Sequence, residues 1–172
     1  AAGTGKSTTL AAMVAHRAQM MDGHILTVED PIEYIYPHGR AVVEQREVGL
    51  DTLSFGEALR NAMRQAPDVI VIGEIRDRET AQNAIMYAEA GSLCISTLHS
   101  NNANQAVERL VNFFPEDAHR QVLLDLSLNL KGVISQRLLP SLQGGLALHR
   151  IRTIAGDRRW PRASGRSRAS GL

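Results

Sequence analysis

The 172 residues and 18.8 kDa suffice for one domain with a substantial buried core. Apolar residues make up 44% and charged residues 22%, an ordinary globular balance, and no run of about 18 apolar residues offers a membrane-spanning helix. A net charge of +1 and an aromatic content of 4% leave little for stacking on single strands, so no nucleic-acid partner is expected.

Gly3-Thr4-Gly5-Lys6-Ser7-Thr8 leads into a helical pattern running to Met21, with apolar residues at Leu10, Met13, Val14 and Ala18. His24–Val28 reads as a strand that ends in the acidic cluster Glu29-Asp30-Pro31-Ile32-Glu33. Ala41–Val48 suits a strand or a hairpin arm. Ser54 with Glu57 is a capping box that opens a helix to about Gln65. Asp68–Ile72 is a continuous β-branched run, the pattern of a strand buried on both faces. Arg78–Ala90 is helical and stops at Gly91. Leu93–Thr97 reads as another buried strand, Asn102–Phe113 as a helix, and Pro115 as the start of a helix to about Leu130. Strands alternating with helices of 10–15 residues predict an α/β fold with a mainly parallel sheet flanked by helices.

The chain ends differently. From Leu146 to Leu172 there are seven arginines against the single acid Asp157, a net of +6, whereas residues 1–145 carry a net of −5. The apolar period fades after Ile154. The organisation expected is therefore a core over 1–145 and a basic, low-complexity tail over 146–172 that orders itself poorly. Such a tail is either an arm for an anionic partner or sequence read in a shifted frame. The lone Cys94 excludes an internal disulfide and fits a reducing compartment.

Three groups of residues carry chemistry. Gly5, Lys6 and Ser7 supply the last positions of the phosphate-loop pattern G-x-x-x-x-G-K-[ST], whose first glycine would precede Ala1. Small residues there let backbone N–H groups reach phosphate oxygens; a Lys reaches the β- and γ-phosphates, and a Ser hydroxyl suits Mg²⁺. The run ending at Ile72 continues as Gly73-Glu74, so Glu74 is the candidate carboxylate on the metal side. Pairing with Arg76 or Arg78 is its structural alternative. Glu29, Asp30 and Glu33 crowd three carboxylates into five residues, which suits either a cation and a water-activating base or a solvated acidic turn. His99, in Thr97-Leu98-His99-Ser100-Asn101-Asn102, is either a contact to the γ-phosphate side or a hydrogen-bonded strand end, with Asn101 as a helix cap.

Taken together and in this order, these elements resemble the type II secretion and type IV pilus ATPase family. The resemblance covers about residues 1–140 and is carried by four motifs. They are Gly3–Thr9, the acidic stretch Ile25–Glu33, the atypical Walker B stretch Asp68–Arg76, and the stretch Thr97–Arg109 with His99 at its head. Within the family the chain looks most like the pilus retraction (PilT/PilU) branch. The likeness implies a RecA-like P-loop NTPase core using ATP and Mg²⁺. It implies that Gly3, Thr4, Gly5, Lys6, Ser7 and Thr8 bind the nucleotide, with Ser7 and Glu74 on the metal. Glu33 is then the general base, Glu29 and Asp30 support the metal and phosphate side, and His99 contacts the γ-phosphate. Arg109 and Arg46 are candidates for compensating phosphate charge, across a subunit boundary or within one chain.

The resemblance further implies a homo-hexamer on the cytoplasmic side of the inner membrane. It would work with a related retraction ATPase, the membrane platform protein and the pilin machinery, to power pilus retraction. A related secretion or pilus-assembly ATPase, or an inactive fragment serving as a binding module, are the alternatives. A four-cysteine zinc site would favour the assembly and secretion branch, and one cysteine speaks against it. Family members carry a PAS-like domain before the phosphate loop and a strand and helical region after Gly145. The chain is thus expected to be a fragment, with a frameshift near residues 143–149.

Overall fold

The computed structural model describes residues 3–139 and 148–155. In chain order it contains α1 (Lys6–Met20), β1 (Gly23–Glu29), β2 (Ala41–Glu47), α2 (Phe55–Ala62), β3 (Val69–Ile72), α3 (Arg78–Glu89), β4 (Leu93–Ser96), α4 (Ala103–Asn112), α5 (His119–Asn129), β5 (Gly132–Leu139) and β6 (Leu148–Ala155). Four strands form one wholly parallel sheet in the order β2-β1-β3-β4. β5 and β6 form a separate antiparallel pair.

The sheet is covered on both faces, as the continuous apolar run of β3 predicts. Val69–Ile72 is buried at every position. Ile70 and Ile72 point with Leu26 and Val28 into a cluster beneath α2 and α3. Val69 and Val71 point the other way, with Ile25, Val43 and Tyr36, against α1. α1 meets that face through Leu10, Ala11, Val14 and Ala18, a stripe at helical spacing. Met13, expected in the stripe, lies off it and is exposed, and Ala11 takes the inner position. Tyr87 locks α3 to α2 by donating to the Leu59 carbonyl at 2.6 Å.

Caps set the helix starts. The Ser54 hydroxyl accepts from the Glu57 N–H, as the capping box predicts, and Asp77 accepts from the Thr80 N–H. The helix from Phe55 is α-helical only to Ala62 and tightens into a 3₁₀ turn over Met63–Gln65. Asn102, not Asn101, caps α4: its side chain accepts from the Gln105 N–H. Pro115 is followed by a 3₁₀ turn over Glu116–Ala118 before α5 begins.

Two further differences from the sequence reading concern strands. β4 is partly buried, with Leu93 exposed, because it is the outermost strand of the sheet among the described residues. Residues 148–155, at the start of the basic stretch, form β6, paired from Leu148 with Leu139 to Ala155 with Gly132. The expected frameshift near residues 143–149 falls largely outside the described residues. No helix among them is long and apolar enough to cross a membrane.

Candidate active site

In a parallel sheet, ligands bind beyond the C-terminal ends of the strands. Here those ends are Glu29, Glu47, Ile72 and Ser96, and every strand-end motif of the sequence lies just past one of them.

α1 starts on this edge. Gly3 and Gly5 hold φ at +72° and +79°, a left-handed backbone that a residue with a Cβ adopts only at a cost. Turns of this type make anion-binding concavities from successive backbone N–H groups. The first turn of α1 contains no acid, although helices ordinarily favour one there, and no side chain caps the helix. Its positive end is further charged by Lys6, so the local field is that of an anion site.

Three consecutive hydroxyls on this turn take three different partners. Ser7 Oγ donates to Glu33 Oε1 at 3.2 Å. Thr8 Oγ1 meets the Tyr34 hydroxyl at 3.0 Å. Thr9 Oγ1 accepts from Gln136 Nε2 at 2.7 Å. The acidic stretch after β1 is therefore folded back onto the phosphate loop, which the sequence could not decide. Gln45 on β2 fixes that stretch by donating to the Tyr34 carbonyl at 2.8 Å and accepting from the Tyr36 N–H at 2.9 Å.

Glu29 is buried and held by Thr27 Oγ1 at 2.7 Å, with Gln45 Nε2 at 3.3 Å. Burial, and next the negative charge of Glu29, push the neighbouring Tyr36 hydroxyl up to about 12. The folded form then keeps a proton that the unfolded chain releases near pH 10. That stabilisation is complete below pH 10 and is lost as the pH climbs toward 12. Tyr36→Phe is expected to flatten the fall of the urea midpoint between about pH 9.5 and 11.5, measured by circular dichroism. An unchanged slope would assign the alkaline loss to other groups.

Beside Glu29 runs the end of β3. A Cβ on Gly73 would sit 3.3 Å from Glu29 Cα and 3.4 Å from the Val28 carbonyl oxygen. This close approach explains a glycine where such strands usually end in Asp. Gly73→Val is expected to cost about 1–3 kcal/mol by overpacking, read as a lower urea midpoint. A variant as stable as the parent would mean that β1 and β3 can part at this edge.

Glu74 is nearly buried and takes two partners, one a guanidinium and one an imidazole. Arg76 Nε donates to Glu74 Oε2 at 2.7 Å, and His99 Nε2 lies 2.9 Å from Glu74 Oε1. Arg76 Nη1 also reaches Asp30 Oδ2 at 3.3 Å. The hydrogen bond that Arg76 donates to Glu74, and the negative charge of that carboxylate, raise the Arg76 pKa above the ordinary guanidinium value. Arg109 Nη1 donates to the His99 carbonyl at 3.0 Å, and its guanidinium lies over Phe113. An open groove of about 590 Å³ lies here, lined in part by His99, Gln105, Arg109 and Phe113.

The structure thus gathers Gly3, Thr4, Gly5, Lys6, Ser7, Thr8, Glu29, Asp30, Glu33, Glu74, His99 and Arg109 along one sheet edge. Arg46 stands apart. It is paired with Glu44 at 2.6 Å and with Gln65 at 3.1 Å, on the face of β2 opposite Val43 and α1. Alternation along β2 forces this, since Gln45 points to the site and its neighbour must point away. Tyr34, Gln45, Arg76 and Gln136 were not among the candidate site residues. Only Arg76 carried a signal, as the cation two residues from Glu74.

The donors suit a hard cation. Among the described residues no three His, Cys, Asp or Glu side chains form a metal cage. Mg²⁺ needs none: it takes one or two protein oxygens and completes its shell with phosphate and water. Ser7 Oγ beside Glu33, with Glu74 at the adjoining strand end, offers that chemistry.

The family model for "Type II/IV secretion system protein" matches residues 1–165. The chain belongs to that family. The type IV pilus ATPase PilU of Pseudomonas aeruginosa is 60% identical over 144 residues, which are 84% of this chain and 38% of that protein. The pilus retraction ATPase PilT of the same organism is 47% identical over 150 residues, 87% of this chain and 44% of that protein. The solved structure of the pilus retraction motor PilT with bound ADP matches at a TM-score of 0.85 and 47% identity, covering 90% of this chain and 45% of that one. The chain therefore spans less than half the length of these members of the type II/IV secretion family. Its α/β fold, parallel sheet included, is theirs.

Proposed function

We propose that this chain is the nucleotide-hydrolysing core of a motor that powers type IV pilus retraction, using Mg²⁺ and ATP. The observation that carries the reading is the contact between Ser7 at the phosphate-loop helix and the carboxylate of Glu33. That contact supports reading Glu33 as a base beside the metal and phosphate side of the loop.

The residues divide the work. The backbone of Gly3–Ser7 and the Lys6 ammonium bind the phosphates; Ser7, with Glu74 through water, would hold Mg²⁺. Held there, the metal would neutralise charge on the phosphates. Glu33 takes the proton of the attacking water. Glu29 and Asp30 support that stretch, Gln45 fixing the first and Arg76 the second. Arg76 and His99 hold the Glu74 carboxylate in place, and Arg109 holds the His99 backbone. Arg46 is left for a role away from this chain's own loop, including at a subunit boundary.

The working form proposed is a homo-hexamer on the cytoplasmic face of the inner membrane. It would act with a related retraction ATPase, the platform protein and the pilin machinery. A secretion or assembly motor of the same family is the second reading. The 60% identity to the pilus ATPase PilU favours retraction.

The test is Mg-ATP hydrolysis by the full-length gene product, with Lys6→Ala as control, joined to a deletion of the gene in a piliated host. Hydrolysis lost in Lys6→Ala and loss of twitching on deletion are expected. Normal twitching with impaired protein secretion would favour the second reading, and hydrolysis unaffected by Lys6→Ala would overturn both.

A further inference from the structure

The bond between Gln136 and Thr9 joins parts of the chain that the site does not otherwise connect. Gln136 lies on β5, outside the parallel sheet, 127 residues from its partner. Thr9 lies on the first turn of α1, next to the two hydroxyls that face Glu33 and Tyr34. β5 also packs against α4, which carries Arg109. The β5–β6 pair therefore touches both the helix that opens at the phosphate loop and the helix behind His99.

We propose that Gln136 is a positioning residue that couples occupancy of the phosphate loop to the β5–β6 hairpin through Thr9. The inference rests on the nucleotide-binding reading given above. Its physical basis is simple. A phosphate seated on the loop draws in the N–H groups of the first turn of α1. Thr9 moves with that turn, and a 2.7 Å hydrogen bond tolerates little displacement before it weakens. β5 then either follows the helix or loses the bond. In both cases the hairpin has different stability with and without ligand, which is a coupling free energy in the strict sense. By the same linkage, removing the bond must change nucleotide affinity by the factor by which the nucleotide changes the hairpin.

Backbone hydrogen exchange of the full-length gene product, with and without ADP, tests this directly. Two segments are followed: Lys6–Leu10 at the loop and Gly132–Leu139 in β5. In the wild type, ADP is expected to change exchange in both. In Gln136→Leu, which keeps the side-chain size but removes the donor, the response at Lys6–Leu10 persists and that at Gly132–Leu139 drops about threefold to tenfold, the scale of one hydrogen bond. Thr9→Val removes the acceptor and is expected to give the same loss, whereas Thr9→Ser retains the response. The double variant Gln136→Leu/Thr9→Val should be no worse than either single one.

A β5 response that survives both Gln136→Leu and Thr9→Val would overturn the coupling while leaving the nucleotide reading intact. So would a wild type that responds at Lys6–Leu10 alone. No response at Lys6–Leu10 in the wild type would overturn the nucleotide reading and the coupling with it. If Gln136→Leu fails to fold, Thr9→Val and Thr9→Ser decide the matter from the other end of the bond.

Discussion

Replacing Glu33 by Gln is expected to lower ATP turnover in the full-length gene product by about 10²–10⁴-fold, the usual weight of a positioned general base. Nucleotide affinity should change little. The amide oxygen of the substituted side chain can still accept from Ser7 Oγ, which lies 3.2 Å from Glu33 Oε1 in the parent. What is lost is only the ability to take a proton from water. The two quantities separate in one experiment: steady-state hydrolysis against titration with a fluorescent ADP analogue. Turnover that survives Glu33→Gln would move the base to another carboxylate of the edge, with Glu29 and Glu74 the next to test. A loss of affinity as large as the loss of turnover would make Glu33 a binding residue instead.

Ile70→Ala is expected to be the most damaging of the simple core substitutions. Ile70 is fully buried in the middle of β3, a strand with neighbours on both sides and helices on both faces. The walls of such a site cannot close over the missing methyls, and truncations of this kind cost about 2–5 kcal/mol. Against a total stability of about 5–15 kcal/mol, this is a large share. With a urea slope of about 1–3 kcal/mol/M, the midpoint should fall by about 1–2 M at unchanged slope. An unchanged midpoint would mean that α2 and α3 settle into the gap, which their Tyr87–Leu59 bond resists.

The fold was legible wherever one residue pattern determined one local outcome. The buried run of β3 announced a two-faced strand, Ser54 and Glu57 announced a helix start, and Gly91 announced a helix end. Burial of β4 was not legible, because it depends on what lies beside the strand rather than on the strand. The cap of α4 fell one residue from its expected place because Asn101 and Asn102 are chemically identical candidates. Only the backbone geometry distinguishes them.

The site was legible as a set of motifs and illegible as an arrangement. Gly3–Ser7, Glu33, Glu74 and His99 each carried a local signal. That Glu33 folds back onto Ser7 while Arg46 turns to the opposite face follows from the pairing of β1 with β2 and the alternation along β2. Gln45 and Gln136 gave no signal of their own. Gln136 acts across 127 residues and Gln45 across a loop to residues 9 to 16 positions away, and a glutamine on a strand is common for unrelated reasons.

The order of strands has a further consequence, for the time course of synthesis. β1 lies between β2 and β3, and its partner on one side, Val69 opposite Ile25, is made only after some forty further residues. A nascent chain that ends before β3 holds the phosphate loop and Glu33, yet it lacks β3 and the Gly73 that follows it and fits against Glu29. Pairings at such separation close slowly, because the intervening loop must be ordered first. The sheet edge on which the loop, Glu33 and Glu74 lie is therefore completed late in synthesis, only once β3 has been made and has paired with β1.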